Sequence, residues 1–122
     1  MENLKELMEI LSDPIFSSPI RVGILLALTG IKTITFSELQ KNLGINKSTL
    51  SVNLKILENN GLIEIKTKFF KDRPREVIVI TEKGKKLVEK YLEAILKYKE
   101  IIEENNNENI KIIEENNNEN IK

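Results

Sequence analysis

Apolar residues recur at helical spacing over residues 3–11, where Leu4, Leu7, Met8 and Leu11 share a face opposite Lys5, Glu6 and Glu9. The pattern predicts an amphipathic helix that ends at Asp13-Pro14, because proline lacks the N–H that a helix interior needs. Ser18-Pro19 then sets a cap residue before a proline at the first helical position. The stretch from Ile20 to Leu28 is apolar on nearly every side, as a central core helix requires, and Thr29-Gly30 closes it.

Ile34-Thr35-Phe36 is short and β-prone. Ser37-Glu38-Leu39-Gln40 after it has the Ser-x-x-Gln form of a capping box, so a helix is expected from Ser37 to about Leu43. Gly44 tolerates the left-handed conformation that terminates helices, and Asn46 offers a fresh cap. Lys47 to Asn59 then carries Leu50, Leu54 and Leu57 on one face, with Gly61 as the stop. From Leu62 the period changes to two: Ile63 and Ile65 alternate with Glu64 and Lys66, as in a strand, and a second strand fits Glu76 to Ile80. Lys68 to Arg75 between them is expected as a hairpin loop, given Pro74 and the density of charge. Thr81 caps a long helix whose seam is Leu87, Tyr91, Ile95, Tyr98 and Ile102. Residues 82–104 as one helix would span about 34 Å at 1.5 Å per residue, more than a domain of this size covers, so part of it is expected to project and meet another subunit.

Residues 101–122 are two copies of one 11-residue unit, Ile101–Lys111 and Ile112–Lys122. That period keeps Ile102 and Ile113 on one helical face. Runs of three Asn are poor helix formers, however, so the tail is expected either as a helix extension or, by composition, as a frayed or disordered segment. The chain thus divides into residues 1–100, a domain with flanking helices, and residues 101–122, an acidic Asn- and Glu-rich tail.

Composition narrows the function. The 122 residues fit one domain with one core, and Cys and His are both absent. That removes disulfides, thiol switches, imidazole or thiolate metal sites and the usual nucleophile–base pairs, and no phosphate loop accompanies the carboxylates. An enzyme, a metal and a cofactor are therefore not expected. The first residues lack a signal-peptide pattern and no apolar run is long enough to cross a membrane, so a cytoplasmic protein is expected. The formal net charge is zero, but residues 1–100 hold 17 Lys and Arg against 13 Asp and Glu, while residues 101–122 hold two Lys against six Glu. A mildly basic body carries an acidic tail.

The order helix, short Gly-containing turn, helix, strand, basic hairpin, strand is that of a helix-turn-helix followed by a wing. The second helix of such a unit fits the major groove. With Leu50, Leu54 and Leu57 inward, Lys47, Ser48, Thr49, Ser51, Asn53 and Lys55 remain to face outward, and Asn is suited to bidentate contact with adenine. Lys68, Lys71, Arg73 and Arg75 supply cations for phosphates or a minor groove.

The run from Gly44 to Ile63 (GINKSTLSVNLKILENNGLI) resembles the helix-turn-helix signature of MarR/ArsR-type winged-helix regulators. Ser48-Thr49-Leu50-Ser51 opens the recognition helix, and Leu57-Glu58-Asn59-Asn60-Gly61-Leu62-Ile63 leads into the wing. Ile80-Thr81-Glu82-Lys83-Gly84 is similar to that family's strand-to-helix junction. The resemblance covers about residues 14–100. It implies a homodimer on a pseudo-palindromic site, with Lys47, Ser48, Thr49, Ser51, Val52 and Asn53 toward the major groove and Arg73 and Arg75 on the wing. It also implies that the first and last helices pair between subunits, through Leu4, Leu7, Met8, Leu11 and the seam of the long helix. Without Cys or His, metal and thiol sensing are excluded, and a small-molecule effector is open but not indicated.

The reading is an α+β, mainly α, winged helix-turn-helix with a two- to three-stranded wing and a long C-terminal dimerisation helix. Its expected partners are double-stranded DNA and a second copy of itself, and its expected role is a sequence-specific transcriptional regulator, a repressor rather than an activator. The alternative is a winged-helix module that binds protein, since fold does not fix function.

Overall fold

The computed structural model describes residues 2–120; Met1, Ile121 and Lys122 lie outside them. The chain runs α1 (Glu2–Leu11), a 3-10 turn (Pro14–Ser17), α2 (Pro19–Thr29), β1 (Ile34–Thr35), α3 (Phe36–Leu43), α4 (Lys47–Asn59), β2 (Ile63–Phe70), β3 (Arg73–Ile80) and α5 (Glu82–Asn120). The 3-10 turn has no counterpart in the apolar periodicity. It is built locally, by the Asp13 carboxylate accepting the Ile15 N–H at 3.0 Å.

The helix starts follow their caps. Ser18 Oγ accepts the Arg21 N–H at 3.3 Å to open α2, and Asn46 Oδ1 accepts the Thr49 N–H at 2.8 Å to open α4. At α3 the expected box of Ser37 and Gln40 is replaced by one two residues earlier. Thr35 Oγ1 accepts the Glu38 N–H at 3.2 Å while the Glu38 carboxylate accepts the Thr35 N–H at 3.4 Å. The reason is β1, which ends at Thr35 in extended conformation and leaves Phe36 free to begin the helix. Gly44, at φ 64°, closes α3 in the left-handed region by donating its N–H to the Gln40 carbonyl.

The three strands form an antiparallel sheet in the order β1-β3-β2. Strand pairing runs much further out than the sequence suggests, from Ile63↔Ile80 to Phe70↔Arg73. The expected eight-residue loop contracts to Lys71 and Asp72, at φ 51° and 65°. Two successive left-handed residues make the turn whose twist matches a two-residue hairpin, and here it forms without glycine. Pro74 is tolerated because, counted from the Phe70–Arg73 pair, it sits opposite Phe69 at a position whose backbone N would face the outer edge. β1 pairs with β3 only at Val77 and Ile78, so no ladder bond is lost at Pro74.

The core gathers Ile24, Leu25 and Leu28 of α2, Leu39 of α3, Leu50, Leu54 and Leu57 of α4, Ile63 and Ile78 of the sheet, and Val88 of α5. Fully burying each large aliphatic contributes about 1.5–3 kcal/mol. α5 is seated at its start by Thr81, whose hydroxyl donates to the Gly61 carbonyl at 2.7 Å and accepts the Gly84 N–H at 3.0 Å. Gly84 lies against the Leu62 carbonyl so closely that no side chain fits. α1 packs along α5 of the same chain. Beyond that contact α5 continues as one helix through both repeats to Asn120, about 58 Å in all at 1.5 Å per residue, instead of fraying at the Asn runs. The described side chains from Ile102 to Asn109 and from Ile113 to Asn116 are all exposed.

Candidate nucleic-acid interface

α4 turns its leucines into the core, and this aims its other edge outward. Ser48, Ser51, Val52 and Lys55 are exposed and follow one another at i, i+3, i+4 and i+7 spacing, Lys47 is exposed beside them, and Thr49 is half-buried. Val52, at 60% exposure, sets an apolar branch in the middle of this polar edge. Lys55 pairs with Glu58 at 3.4 Å on the surface, a contact worth little in water.

Asn53 departs from the expectation. It is 8% exposed, the one buried polar side chain among the described residues, and both ends of its amide are engaged. Its Oδ1 accepts from Arg21 Nη1 at 3.2 Å, and its Nδ2 donates to the Thr49 carbonyl at 2.8 Å. The outward orientation assigned to Asn53 is thus corrected. Lying three residues after Leu50 and four before Leu57, it belongs to the inward face, and burial is tolerated because α2 supplies a donor.

The register of the wing sorts its side chains. Partners across an antiparallel ladder share a face, so Lys68 with Arg75, Phe70 with Arg73 and Lys66 with Val77 lie on one face. Three of the expected cations, together with Lys66, therefore form one basic face, and Lys71 stands in the turn; all are exposed. The opposite face carries Thr67, Phe69, Pro74 and Glu76. There, a recess of about 440 Å³ joins the start of α4, at Lys47 and Ser51, to Pro74, Arg75 and Glu76 and to Thr35, Phe36 and Ser37. The recognition edge and the wing are thus neighbours across one groove. Sequence reasoning missed Phe69 and Phe70, the former 72% exposed at the end of β2. Two aromatics inside a cluster of cations were the available signal.

Residues 20–99 match the family of winged helix DNA-binding domains. The chain belongs to this family. It is 36% identical over 89 residues to the uncharacterized protein MJ0432 of Methanocaldococcus jannaschii, a match that covers 73% of this chain and 97% of that protein. Its fold is similar to that of a transcriptional regulator homologue from Pyrococcus horikoshii, with a TM-score of 0.72 and 31% identity over 84% of this chain and 98% of the other. The fold is also that of Staphylococcus aureus MepR, seen in a complex with DNA, with a TM-score of 0.70 at 21% identity and coverage of 91% and 90%. The family is one of DNA-binding domains.

Of the residues expected at a dimer interface, the structure leaves Met8, Leu11, Ile95 and Ile102 exposed. Leu4 and Tyr98 are half-buried. Leu7 is buried, Leu87 packs against the core, and Tyr91 stacks on Phe16, so these three are used within the chain. The seam divides because Leu87, Val88, Tyr91 and Ala94 form the face of α5 that closes its own domain, while Leu92 and Leu96 are exposed beside Ile95. Among the described residues no helix is long and apolar enough to cross a membrane.

Proposed function

We propose that this winged helix protein is a transcriptional regulator of the MarR type, acting as a homodimer that binds a specific duplex sequence and represses transcription there. The observation that carries the reading is the exposed edge of α4 standing across a groove from Pro74, Arg75 and Glu76 of a wing whose other face is basic. In the bound state Ser48, Ser51 and Val52 face base edges in the major groove, with Val52 suited to a thymine methyl, while Lys47 and Lys55 flank them toward phosphates. Thr49 lies deeper in the same turn. Lys68, Lys71, Arg73 and Arg75 approach the backbone or a minor groove, and Phe69 adds apolar contact from the other face of the wing. The Staphylococcus aureus MepR–DNA complex, built on the same fold, supports this docking.

The second copy pairs through α1 and α5, where Met8, Leu11, Leu92, Ile95, Leu96 and Ile102 leave apolar surface uncovered along a helix longer than its own domain. Residues 101–120 form an acidic extension of α5 rather than part of the DNA-binding domain. The protein acts in the compartment that holds its DNA, and no cofactor enters the mechanism.

A salt titration of fluorescence anisotropy tests this, comparing random duplex with the protein's own upstream DNA. Binding to the upstream DNA about a thousandfold tighter than to random duplex is the expected result. No binding to either at low salt overturns it in favour of a protein-binding module.

A further inference from the structure

Arg21 lies on α2, away from the exposed edge of α4, yet its guanidinium is the most heavily engaged side chain of the region. Nε donates to the Ile15 carbonyl at 3.2 Å, Nη2 to the Pro14 carbonyl at 2.9 Å and to Ser17 Oγ at 3.1 Å, and Nη1 to Asn53 Oδ1 at 3.2 Å. Its partners thus come from the 3-10 turn on one side and from the middle of α4 on the other. The 3-10 turn is itself held against α5 by the stacking of Phe16 on Tyr91. A planar fork with five donors suits this bridging, and a lysine ammonium at the same place reaches fewer of the acceptors.

We propose that Arg21 and Asn53 are positioning residues for DNA recognition: together they fix the rotation of α4 about its axis relative to the 3-10 turn and α5, without touching DNA themselves. The inference rests on the reading of α4 as the recognition helix. An Asn that reads adenine needs both its oxygen and its nitrogen turned to the base. Here the oxygen is committed to Arg21 and the nitrogen to Thr49, and the residue is buried. The polar contact is also directional, whereas the leucine packing of α4 alone tolerates small rotations, so this pair specifies which residues of the edge face outward.

The test uses the full chain with a preferred duplex selected from a randomised pool, and compares wild type with Arg21→Gln, Arg21→Lys, Asn53→Ala and the Arg21→Gln/Asn53→Ala double variant. Each single variant is expected to lose about tenfold in affinity for the preferred duplex, as for loss of a hydrogen bond to a charged group, with random-duplex affinity within about twofold of wild type. The order of base preference stays the same, the double variant is no worse than the singles, and the salt slope is unchanged by Arg21→Gln. Three results overturn the proposal. A change of preference at one base pair in Asn53→Ala makes Asn53 a base reader, a slope reduced by about 0.9 in Arg21→Gln puts Arg21 on a phosphate, and additive losses uncouple the pair. Arg21→Lys keeps the charge and serves if the other variants unfold.

Amide hydrogen exchange without DNA separates this proposal from the reading beneath it. Faster exchange in α4 and the 3-10 turn of Arg21→Lys supports the clamp even if the wild type binds no DNA. Exchange unchanged from wild type overturns it.

Discussion

The ring of Phe16, in the 3-10 turn, lies nearly parallel to the ring of Tyr91 in α5, with centroids 4.8 Å apart and planes at 11°. One aromatic pair thereby joins the segment before the DNA-binding core to the long helix that leaves it. Both rings are half-buried, so their contact contributes through apolar area as well as ring stacking. Phe16→Ala is expected to lower stability by about 2 kcal/mol, below the 3–5 kcal/mol of a fully buried Phe. Urea denaturation followed by circular dichroism measures it, and Phe16→Leu is expected to recover part of the loss.

Gly84 stands where α5 crosses the base of the wing, and a Cβ there overlaps the Leu62 carbonyl and lies 2.7 Å from Ile80 Cγ1. Backbone cannot yield as a side-chain tip does, so Gly84→Ala is expected to cost about 1–3 kcal/mol despite alanine's better helix propensity. A rise in thermal midpoint on this substitution would contradict the close approach.

Asn46 caps α4 at the point where its exposed edge begins. Removing the acceptor in Asn46→Ala is expected to cost about 1 kcal/mol, while Asn46→Asp, which retains the acceptor, stays within about 0.5 kcal/mol of wild type. The same denaturation series decides between these outcomes.

On the wing, charge and apolar surface separate by experiment. Arg73→Ala combined with Arg75→Ala is expected to weaken binding to all duplexes alike and to flatten the salt slope by about 2, at about 0.9 per phosphate. Phe69→Ala is expected to weaken binding with the slope unchanged, since no counterion is released at an apolar contact. Anisotropy titrations at several salt concentrations distinguish the two.

The exposed apolar positions of α5 give the dimer its test. Light scattering is expected to return about twice the 14.1 kDa of one chain, and Ile95→Glu with Leu96→Glu to return one chain while the far-ultraviolet spectrum is preserved. A single-chain mass for wild type at micromolar concentration removes the dimer from the mechanism.

Local pattern was enough for much of this fold. Leu50, Leu54 and Leu57 recur every three to four residues, Asn46 caps and Gly61 stops, so the bounds of α4 follow from the order of residues alone. The absence of Cys and His, and the basic body with its acidic tail, were likewise properties of the chain. Tertiary structure decided what depends on contacts distant in sequence. Asn53 is polar by type, and only the approach of Arg21, 32 residues away, makes the inward position affordable. The wing lengthened because ladder pairing with β3 outweighed the loop character of Lys68 to Arg75, across a turn that carries no glycine to announce it. The seam of α5 likewise divided between its own domain and the outside. An apolar stripe states that a face will be buried, and where neighbouring elements come to rest determines what buries it.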